Sequence, residues 1–228
     1  MLRIGGLEKS SLLDYPDKIS TVIFLYGCNL RCRYCHNPEL VTQPFRKEVS
    51  YTEKEVLDFL RSRIGKVDGV VITGGEPLIQ RNIEGFIRKI KKLGLLVKLD
   101  TNGFFPNMLS KLIKNDLIDY ISMDVKYSEE EYLKYTGNIS KVKRSIKMIM
   151  DSGIDYEFRT TYINDLHTKT SAEGIGKLIK GAKRYYIQNF RPGKCIDENL
   201  NIDNSFLEKE LKVFKRIIKK YIKNVYIR

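Results

Sequence analysis

Apolar and polar positions along this chain form two repeating patterns. Short β-branched runs, as at residues 21–26 and 67–73, are typical of buried strands, whereas residues 52–64 and 80–93 space their apolar side chains three and four positions apart, as amphipathic helices do. The pattern predicts further strands at 95–100, 117–125, 156–163, 184–190 and 224–228, and further helices at 106–114, 128–135, 140–152 and 171–181. Strands that alternate with helices in this way indicate βαβ units and a parallel sheet.

Six such units fit between about residue 20 and about residue 190. A closed barrel of eight units typically needs about 250 residues, so six units predict an α/β fold of the incomplete (βα)6 TIM-barrel type with parallel strands. No linker rich in Pro, Gly or Ser interrupts the pattern, and no internal repeat is visible. We therefore expect a single domain over 1–228, with its core at about 20–190 and a basic C-terminal helix at about 203–222.

Composition limits the class of protein. The 228 residues are 42% hydrophobic and 30% charged, which argues against wholesale disorder. No apolar run reaches the roughly 18 residues of a membrane span, and the amino-terminal residues lack the apolar stretch of a signal peptide, so we expect a cytoplasmic protein. The formal net charge of +13 is compatible with nucleic acid, with an acidic protein partner, or with a solvated, lysine-rich surface.

Unusual residues follow the ends of the predicted strands. These clusters are Gly27-Cys28, Gly74-Gly75-Glu76-Pro77, Asp100-Thr101-Asn102-Gly103, Asp124-Val125-Lys126 and Arg191-Pro192-Gly193. In parallel α/β folds, ligands bind at the carboxyl ends of the strands. The sequence therefore predicts one site on that rim.

Three of the four cysteines, Cys28, Cys32 and Cys35, form a C-x3-C-x2-C motif. Close cysteines in a reducing compartment indicate metal ligands or redox groups rather than disulfides. A structural zinc ion would need four ligands, with His36 the nearest candidate for the fourth. Three thiolates can instead hold three corners of a four-iron cluster, which leaves one iron open to bind a substrate or cofactor.

The motif, with an aromatic residue before its third cysteine, resembles that of the radical S-adenosylmethionine (SAM) superfamily. Within it, Ser11-Leu-Leu-Asp-Tyr-Pro16, Gly27-Cys-Asn29 and Tyr34-Cys-His-Asn-Pro38 resemble the glycyl-radical enzyme activating enzymes, and most closely the activating proteins of anaerobic ribonucleoside-triphosphate reductase. The strand-end clusters at 74–77, 100–104 and 124–126 continue the likeness, which covers roughly residues 1–190.

The resemblance implies a [4Fe–4S] cluster and SAM as cofactors. One electron from the reduced cluster would cleave the sulfonium and release a 5′-deoxyadenosyl radical, which would abstract a Cα hydrogen from a glycine of a partner glycyl-radical enzyme. The side chain of glycine is a hydrogen atom, so its Cα can be approached closely. The implied electron donor is a flavodoxin or ferredoxin, and an acidic donor would suit the basic surface. We expect no membrane partner, and nucleic acid is the less favoured partner.

The resemblance also implies roles for individual residues. Cys28, Cys32 and Cys35 would ligate iron, while Tyr34 and His36 would pack on the adenine side. His36 as a zinc ligand or general base is the alternative. Gly74 and Gly75 would let the backbone reach the methionyl amino group, or simply form a strand-to-helix turn. Glu76 would fix that turn or form a local ion pair.

Further residues follow the later strands. Asp124 and Lys126 share a strand face, and would bind the ribose hydroxyls or the methionyl carboxylate unless they form only a surface ion pair. Arg159 is a charge within an apolar strand and needs a partner, for which the SAM carboxylate is a candidate. Asp100 and Thr101 match a pair that helps hold a monovalent cation in the pyruvate formate-lyase branch, although Asp100 could instead cap a turn.

The sequence departs from the family pattern in two places. The pyruvate formate-lyase branch has a cofactor-binding histidine after its last barrel strand, where Gln188 or Arg191 would substitute here. Asp17 stands where the family often has glycine, which puts the turn there in question. Cys195 has no motif partner and is expected to be a half-buried thiol, and His167 to be a polar loop residue.

Two other functions remain open on the sequence. One is a radical SAM enzyme that modifies a small molecule or tRNA, resembling 7-carboxy-7-deazaguanine synthase. The other is a metal-binding module without catalysis. The Asp-Tyr-Pro and Tyr-Cys-His-Asn segments favour the activating enzyme, and the clusters on several strand ends argue against a purely structural metal.

Overall fold

A computed structural model describes residues 2–47, 50–164, 166–190, 193–197, 200 and 207–228. Eight strands follow one another in a single sheet in chain order. They are β1 Ile4–Ser11, β2 Ser20–Leu25, β3 Gly69–Gly74, β4 Leu96–Thr101, β5 Tyr120–Asp124, β6 Asp155–Tyr162, β7 Tyr185–Asn189 and β8 Val225–Ile227. Strand β1 runs antiparallel to β2, whereas β2, β3 and β4, and likewise β6, β7 and β8, pair in parallel.

Helical segments separate the parallel strands, which confirms the predicted α/β class. The helices are α1 Pro38–Thr42, α2 Glu53–Ser62, α3 Ile83–Lys91, α4 Pro106–Lys114, α5 Glu129–Thr136, α6 Ser140–Asp151, α7 Lys169–Leu178 and α8 Leu207–Ile218, with a 3-10 turn at Pro77–Ile79. Strands β2 to β7, each followed by a helical segment, are the six predicted units. None of the helices in the described part of the chain is long and apolar enough to cross a membrane.

Contacts divide the chain into two compact units. Unit 1 comprises residues 1–101, 107–121 and 194–196, and unit 2 comprises residues 102–106, 122–193 and 197–228. Strand β5 contributes its first residues to unit 1 and its last residues to unit 2. The expectation of a single domain stays a prediction.

Burial of the apolar runs explains the elements of unit 1. Val70, Val71 and Ile72 of β3 are all buried, as expected for a parallel strand that is covered on both faces. In α3 the buried side chains are Ile83, Phe86, Ile87 and Ile90, which have the spacing of one helix face. A capping box begins α2, because Thr52 and Glu55 bond each other's backbone N–H groups.

Sequence analysis missed two elements, β1 and the short helix α1. The β1 segment begins with Gly5-Gly6 and continues with Glu8 and Lys9, a composition that is depleted in strands. Its pairing with β2 supplies the order that its sequence does not indicate. The helix predicted from residue 80 begins at Ile83, because Gln80 instead follows the 3-10 turn. The basic helix predicted over 203–222 is α8, and residues 203–206 lie outside the described part of the chain.

Asp17 resolves the question about the turn after Asp14-Tyr15-Pro16. Its φ of 59° is the left-handed conformation that a glycine would adopt without strain. Aspartate is one of the few other residues that enter this region routinely. The substitution therefore keeps the backbone that the glycine of the family would favour.

Candidate active site

The cysteine loop of unit 1 begins where β2 ends. Cys28, Cys32 and Cys35 form no disulfide and each is partly exposed. The Cys35 N–H donates to the Cys32 carbonyl oxygen at 3.0 Å, which forms a turn between the second and third cysteines. The Leu30 N–H lies 3.4 Å from Cys28 Sγ, so the first thiol is bonded to the backbone of its own loop.

The residues that flank Cys35 differ in exposure. Tyr34 is buried, with only 4% of its surface exposed, whereas His36 is exposed. The two side chains therefore lie in different environments. Their assignment to the adenine side of the cofactor stays a prediction, as does the alternative role of His36.

Gly74 and Gly75 tie the end of β3 to the start of the cysteine loop. The Gly75 N–H donates to the Leu25 carbonyl oxygen, and the Glu76 N–H to the Gly27 carbonyl oxygen, both at 2.8 Å. A Cβ on Gly75 would lie 2.0 Å from that Gly27 oxygen, and Gly74 has a φ of 113°. Both positions therefore require glycine for the close approach of two backbones.

Glu76 lies in the turn that follows these glycines and is bonded within it. It is fully buried, and its Oε1 accepts bonds from the Leu78 N–H at 3.1 Å and from Thr101 Oγ1 at 2.8 Å. The second bond links the turn after β3 to the end of β4. The carboxylate thereby holds two strand ends of unit 1 together.

Asp100, which precedes Thr101, binds a buried lysine. Lys98 Nζ lies 2.5 Å from Asp100 Oδ1, and Thr73 Oγ1 donates to Oδ2 at 3.1 Å. The Lys98 side chain is only 3% exposed, so the pair satisfies a buried charge. The expectation that Asp100 helps hold a monovalent cation stays untested, while the structure gives it an ammonium partner within the chain.

Unit 2 brings together Asp124, Lys126 and Arg159. Arg159 Nε lies 2.5 Å from Asp124 Oδ1, and Lys126 Nζ lies 3.0 Å from Oδ2. Burial raises the pKa of Asp124, but the charges of Arg159 and Lys126 and their hydrogen bonds outweigh it and hold this pKa well below its ordinary range. The group is largely sheltered and brings a guanidinium and an ammonium, both of which can bind carboxylates, to one place in unit 2.

Comparison with known proteins identifies the family. The model of the radical SAM superfamily matches residues 22–180. The chain belongs to the radical SAM superfamily. A Methanocaldococcus jannaschii protein that carries the provisional name of glycyl-radical enzyme activating enzyme is 37% identical, over 99% of this chain and 95% of that protein. The pyruvate formate-lyase-activating enzyme of Clostridium pasteurianum is 28% identical, over 99% of this chain and 98% of its own.

Solved structures agree on the fold. A domain of the pyruvate-formate lyase-activating enzyme of Bacteroides vulgatus superposes with a TM-score of 0.52 at 15% identity, over 70% of this chain and 98% of that one. Streptococcus suis SuiB bound to SAM gives a TM-score of 0.67 at 13% identity, over 91% of this chain and 51% of SuiB. The radical SAM match and these neighbours confirm the predicted incomplete (βα)6 barrel class.

A radical SAM enzyme uses a [4Fe–4S] cluster and SAM, and the cysteine loop fits that cluster. Its three thiols are unbonded to each other and partly accessible, on one short loop. Among the described residues, no three His, Cys, Asp or Glu side chains converge as the ligands of a single metal ion would. A four-iron cluster does not need such convergence, because each thiolate binds a different iron.

One prediction about a residue outside the radical SAM motifs was wrong, because Cys195, expected to be half-buried, is only 7% exposed. His167, predicted to be a polar loop residue, lies in the loop between β6 and α7 but is only 2% exposed. His167 is buried because Tyr162 stacks on it at 5.8 Å between ring centroids and Phe214 packs against it at 6.1 Å. Of the proposed late-strand substitutes, Gln188 is half-buried in β7, and Arg191 lies outside the described residues.

Sequence analysis missed Lys98 and Tyr132, and it did not predict which residues Thr101 and His167 contact. Thr101 bonds Glu76, Lys98 bonds Asp100, and the side chains of Tyr132 and His167 bond the backbone of Lys126. Lys98 is recognisable as an isolated lysine in the apolar strand β4. For the other residues, the local sequence does not indicate which residue each of them contacts. The contacts of Thr101 with Glu76 and of His167 with Lys126 join segments that are distant in the chain.

Proposed function

We propose that this radical SAM enzyme activates a glycyl-radical enzyme by removing a Cα hydrogen from a glycine of that partner. The observation that carries the proposal is the cysteine loop, whose first residues are bonded to the Gly74-Gly75-Glu76 turn. The proposal is further supported by the names of the relatives from Methanocaldococcus jannaschii and Clostridium pasteurianum, which match this chain over nearly its whole length.

In this proposal, Cys28, Cys32 and Cys35 hold three irons and leave the fourth for SAM. When bound, the reduced cluster supplies the electron that cleaves SAM, and SAM supplies the carbon radical that takes the glycine hydrogen. Glu76 and Thr101 keep the turn after β3 rigid against the cysteine loop. The backbone at Gly74 and Gly75 is assigned to the methionyl amino group, and Tyr34 and His36 to the adenine side.

The residues of unit 2 are assigned to the polar groups of SAM. Lys126 and Arg159 are held by Asp124, which stays ionised at neutral pH because the pKa of its carboxyl is held low. Guanidinium and ammonium groups bind carboxylates, and the methionyl carboxylate is the anion that SAM offers. Asp124 is assigned to holding these cations and to accepting from a ribose hydroxyl.

The partner that we propose is anaerobic ribonucleoside-triphosphate reductase, on the strength of the Asp-Tyr-Pro and Tyr-Cys-His-Asn segments. The relative from Clostridium pasteurianum, named for pyruvate formate-lyase, makes that enzyme the comparison partner in any test. The proposed electron donor is a flavodoxin or ferredoxin.

The test is anaerobic activation with the reconstituted enzyme, a reductant, SAM and each candidate partner. We expect 5′-deoxyadenosine in stoichiometric relation to a glycyl-radical signal in electron paramagnetic resonance, with the reductase giving the higher yield. A partner whose radical glycine is replaced by alanine is the control and should give no glycyl radical.

The outcomes separate the possibilities. Absence of 5′-deoxyadenosine with every reductant would falsify the proposal as a whole. Formation of 5′-deoxyadenosine without a glycyl radical on any partner would favour an enzyme that modifies a small molecule or tRNA. A radical on pyruvate formate-lyase alone would retain the activating function and overturn the reductase assignment.

A further inference from the structure

The backbone of Val125-Lys126, just beyond β5, is bonded at every polar group. The Val125 N–H donates to the Arg159 carbonyl oxygen at 2.9 Å, and the Val125 carbonyl accepts from Thr160 Oγ1. The Lys126 N–H donates to Tyr132 Oη at 2.9 Å, and the Lys126 carbonyl lies 3.0 Å from His167 Nε2. Strand β6 therefore holds the first residue, and two side chains from farther along unit 2 hold the second.

The two side chains that bond Lys126 are themselves immobilised. Tyr132 is fully buried, and His167 is packed between Tyr162 of β6 and Phe214 of α8. His167 Nδ1 accepts the Ile163 N–H at 2.9 Å, so this nitrogen carries no proton. The proton of the neutral ring is then on Nε2, which donates it to the Lys126 carbonyl.

We propose that Tyr132 and His167 are positioning residues that fix the Lys126 backbone and so aim its ammonium at SAM. This inference rests on the proposed function, which assigns Lys126 to the cofactor, and it adds two residues that carry no superfamily motif in the sequence. Lys126 has a long, flexible side chain, so a fixed backbone removes one source of disorder before the cofactor binds.

Burial of His167 favours the neutral ring that this arrangement needs. Burial lowers the pKa of His167, and the ammonium of Lys126 lowers it too, whereas hydrogen bonds and the Glu131 carboxylate of α5 act in the opposite direction. The other elements that pack against His167 place aromatic rings on it, Tyr162 from β6 and Phe214 from α8. Burial raises the pKa of Tyr162, and the charge of Glu210 on α8 raises it further. Protonation at Nδ1 would break the bond from Ile163.

A pair of matched variants separates positioning from general stability. Tyr132→Phe removes the hydroxyl that accepts the Lys126 N–H, and Tyr156→Phe removes a hydroxyl that accepts the Lys183 N–H at 3.1 Å elsewhere in unit 2. Both tyrosines are buried and both changes leave a backbone N–H without its acceptor. Similar losses of thermal stability are expected from the two variants.

Binding of SAM to the enzyme with an oxidised cluster, which excludes turnover, is the first readout. We expect Tyr132→Phe to weaken binding about tenfold, the factor that corresponds to one lost hydrogen bond, and Tyr156→Phe to leave it unchanged. His167→Phe keeps an aromatic ring but no hydrogen bond and should weaken binding similarly. His167→Gln keeps an N–H donor and should restore part of the affinity.

The second readout needs neither SAM nor activity. The chain has two histidines, so nitrogen-15 spectra of histidine-labelled enzyme contain two imidazole signals, and a His36→Gln variant assigns them. We expect His167 to remain neutral, with its proton on Nε2, at pH values where an ordinary histidine of pKa about 6.5 is protonated. His36 serves as the exposed internal comparison.

Two results would overturn the inference while the proposed function stands. One is an enzyme that cleaves SAM and in which Tyr132→Phe and His167→Phe change SAM affinity no more than Tyr156→Phe. The other is a His167 ring protonated on Nδ1 at neutral pH. An enzyme that never binds SAM would overturn the proposed function and, with it, the link of the two residues to the cofactor.

Discussion

Asp124 shows at the scale of one residue how burial changes an ordinary ion pair. It binds two cations, Arg159 and Lys126, and its side chain is 28% exposed, whereas Asp58 on α2 binds Lys54 and Arg61 at 45% exposure. Exposed pairs contribute little because water competes with them. One carboxylate with two cations should therefore stabilise the folded chain at Asp124 but not at Asp58.

We expect Asp124→Asn to lower the free energy of unfolding by about 2 kcal/mol, since it leaves two cations without their charged acceptor. Asp58→Asn should leave the free energy of unfolding close to that of the parent chain, because water already competes with both of its exposed partners. The pKa of Asp124 is depressed in the folded state, so its contribution is fully present above the ordinary value of about 3.9 and is lost as the pH falls below it.

Denaturant unfolding from neutral pH down to about pH 3, on either side of the ordinary carboxyl pKa, measures both effects. The slope of the free energy of unfolding against pH in the acid range should be smaller in Asp124→Asn than in the parent chain or in Asp58→Asn. Equal slopes in the three proteins would contradict the role given to Asp124.

Cys32 is the second residue for which a single substitution is decisive. Cys32→Ala should remove one iron ligand, with loss of most bound iron and sulfide and of SAM cleavage. The matched control is Cys195→Ala, because this thiol is buried and follows no cysteine motif. Iron and sulfide analysis after reconstitution measures the difference between the two variants. A Cys32→Ala protein that keeps its cluster and cleaves SAM would contradict the assignment of Cys32 as an iron ligand.

At the scale of elements, the turn between β3 and α3 depends on backbone contact rather than on side chains. Gly75→Ala would place a Cβ 2.0 Å from the Gly27 carbonyl oxygen, on the backbone that leads to Cys28. Relief of the clash must separate the end of β3 from the cysteine loop. We expect a loss of about 3 kcal/mol in the free energy of unfolding and a lower iron content.

Gly193→Ala is the control, because a Cβ there would meet nothing within 4 Å. Its stability and iron content should match those of the parent chain. Denaturant unfolding and iron analysis of the two variants check the expectation. Parental iron content in Gly75→Ala would show that the cysteine loop does not rely on this contact.

The elements also show how much of the fold could be predicted from the sequence alone. The strand β3 and the capping box at Thr52 and Glu55 follow from local patterns, and the structure has both. The burial of His167 does not follow from local patterns, because it depends on packing against Phe214 of α8, a helix far along the chain. The order of β1 likewise comes from its partner β2, not from its own glycine-rich segment.

The same division holds for the site. Motif residues such as Cys28 and Asp124 could be found from their position after strands, because the parallel architecture makes strand ends the binding rim. Their supporting residues could not, since Tyr132, Thr101 and Lys98 are ordinary residues whose partners are known only once the chain is folded. The sequence therefore identifies the groups that could react, but it does not as easily identify the residues that hold those groups in place.

For the whole molecule, the +13 charge favours an acidic protein as electron donor. The exposed basic side chains of α8 and of the turn that follows it, which include Arg216 on the helix and Lys220 in the turn, offer one surface for such a donor. We expect Arg216→Glu with Lys220→Glu to slow cluster reduction by an acidic flavodoxin about tenfold at low salt, and the difference to shrink as salt is added.

Lys141→Glu with Arg144→Glu on α6 is the control, because both residues are exposed and the change in net charge is the same. Reduction by dithionite, which needs no protein docking, should be equal in all three proteins. Stopped-flow absorbance of the cluster follows both reductions. If the α6 variant slows the flavodoxin reaction as much as the α8 variant does, net charge alone steers the donor, and α8 is only a solvated face.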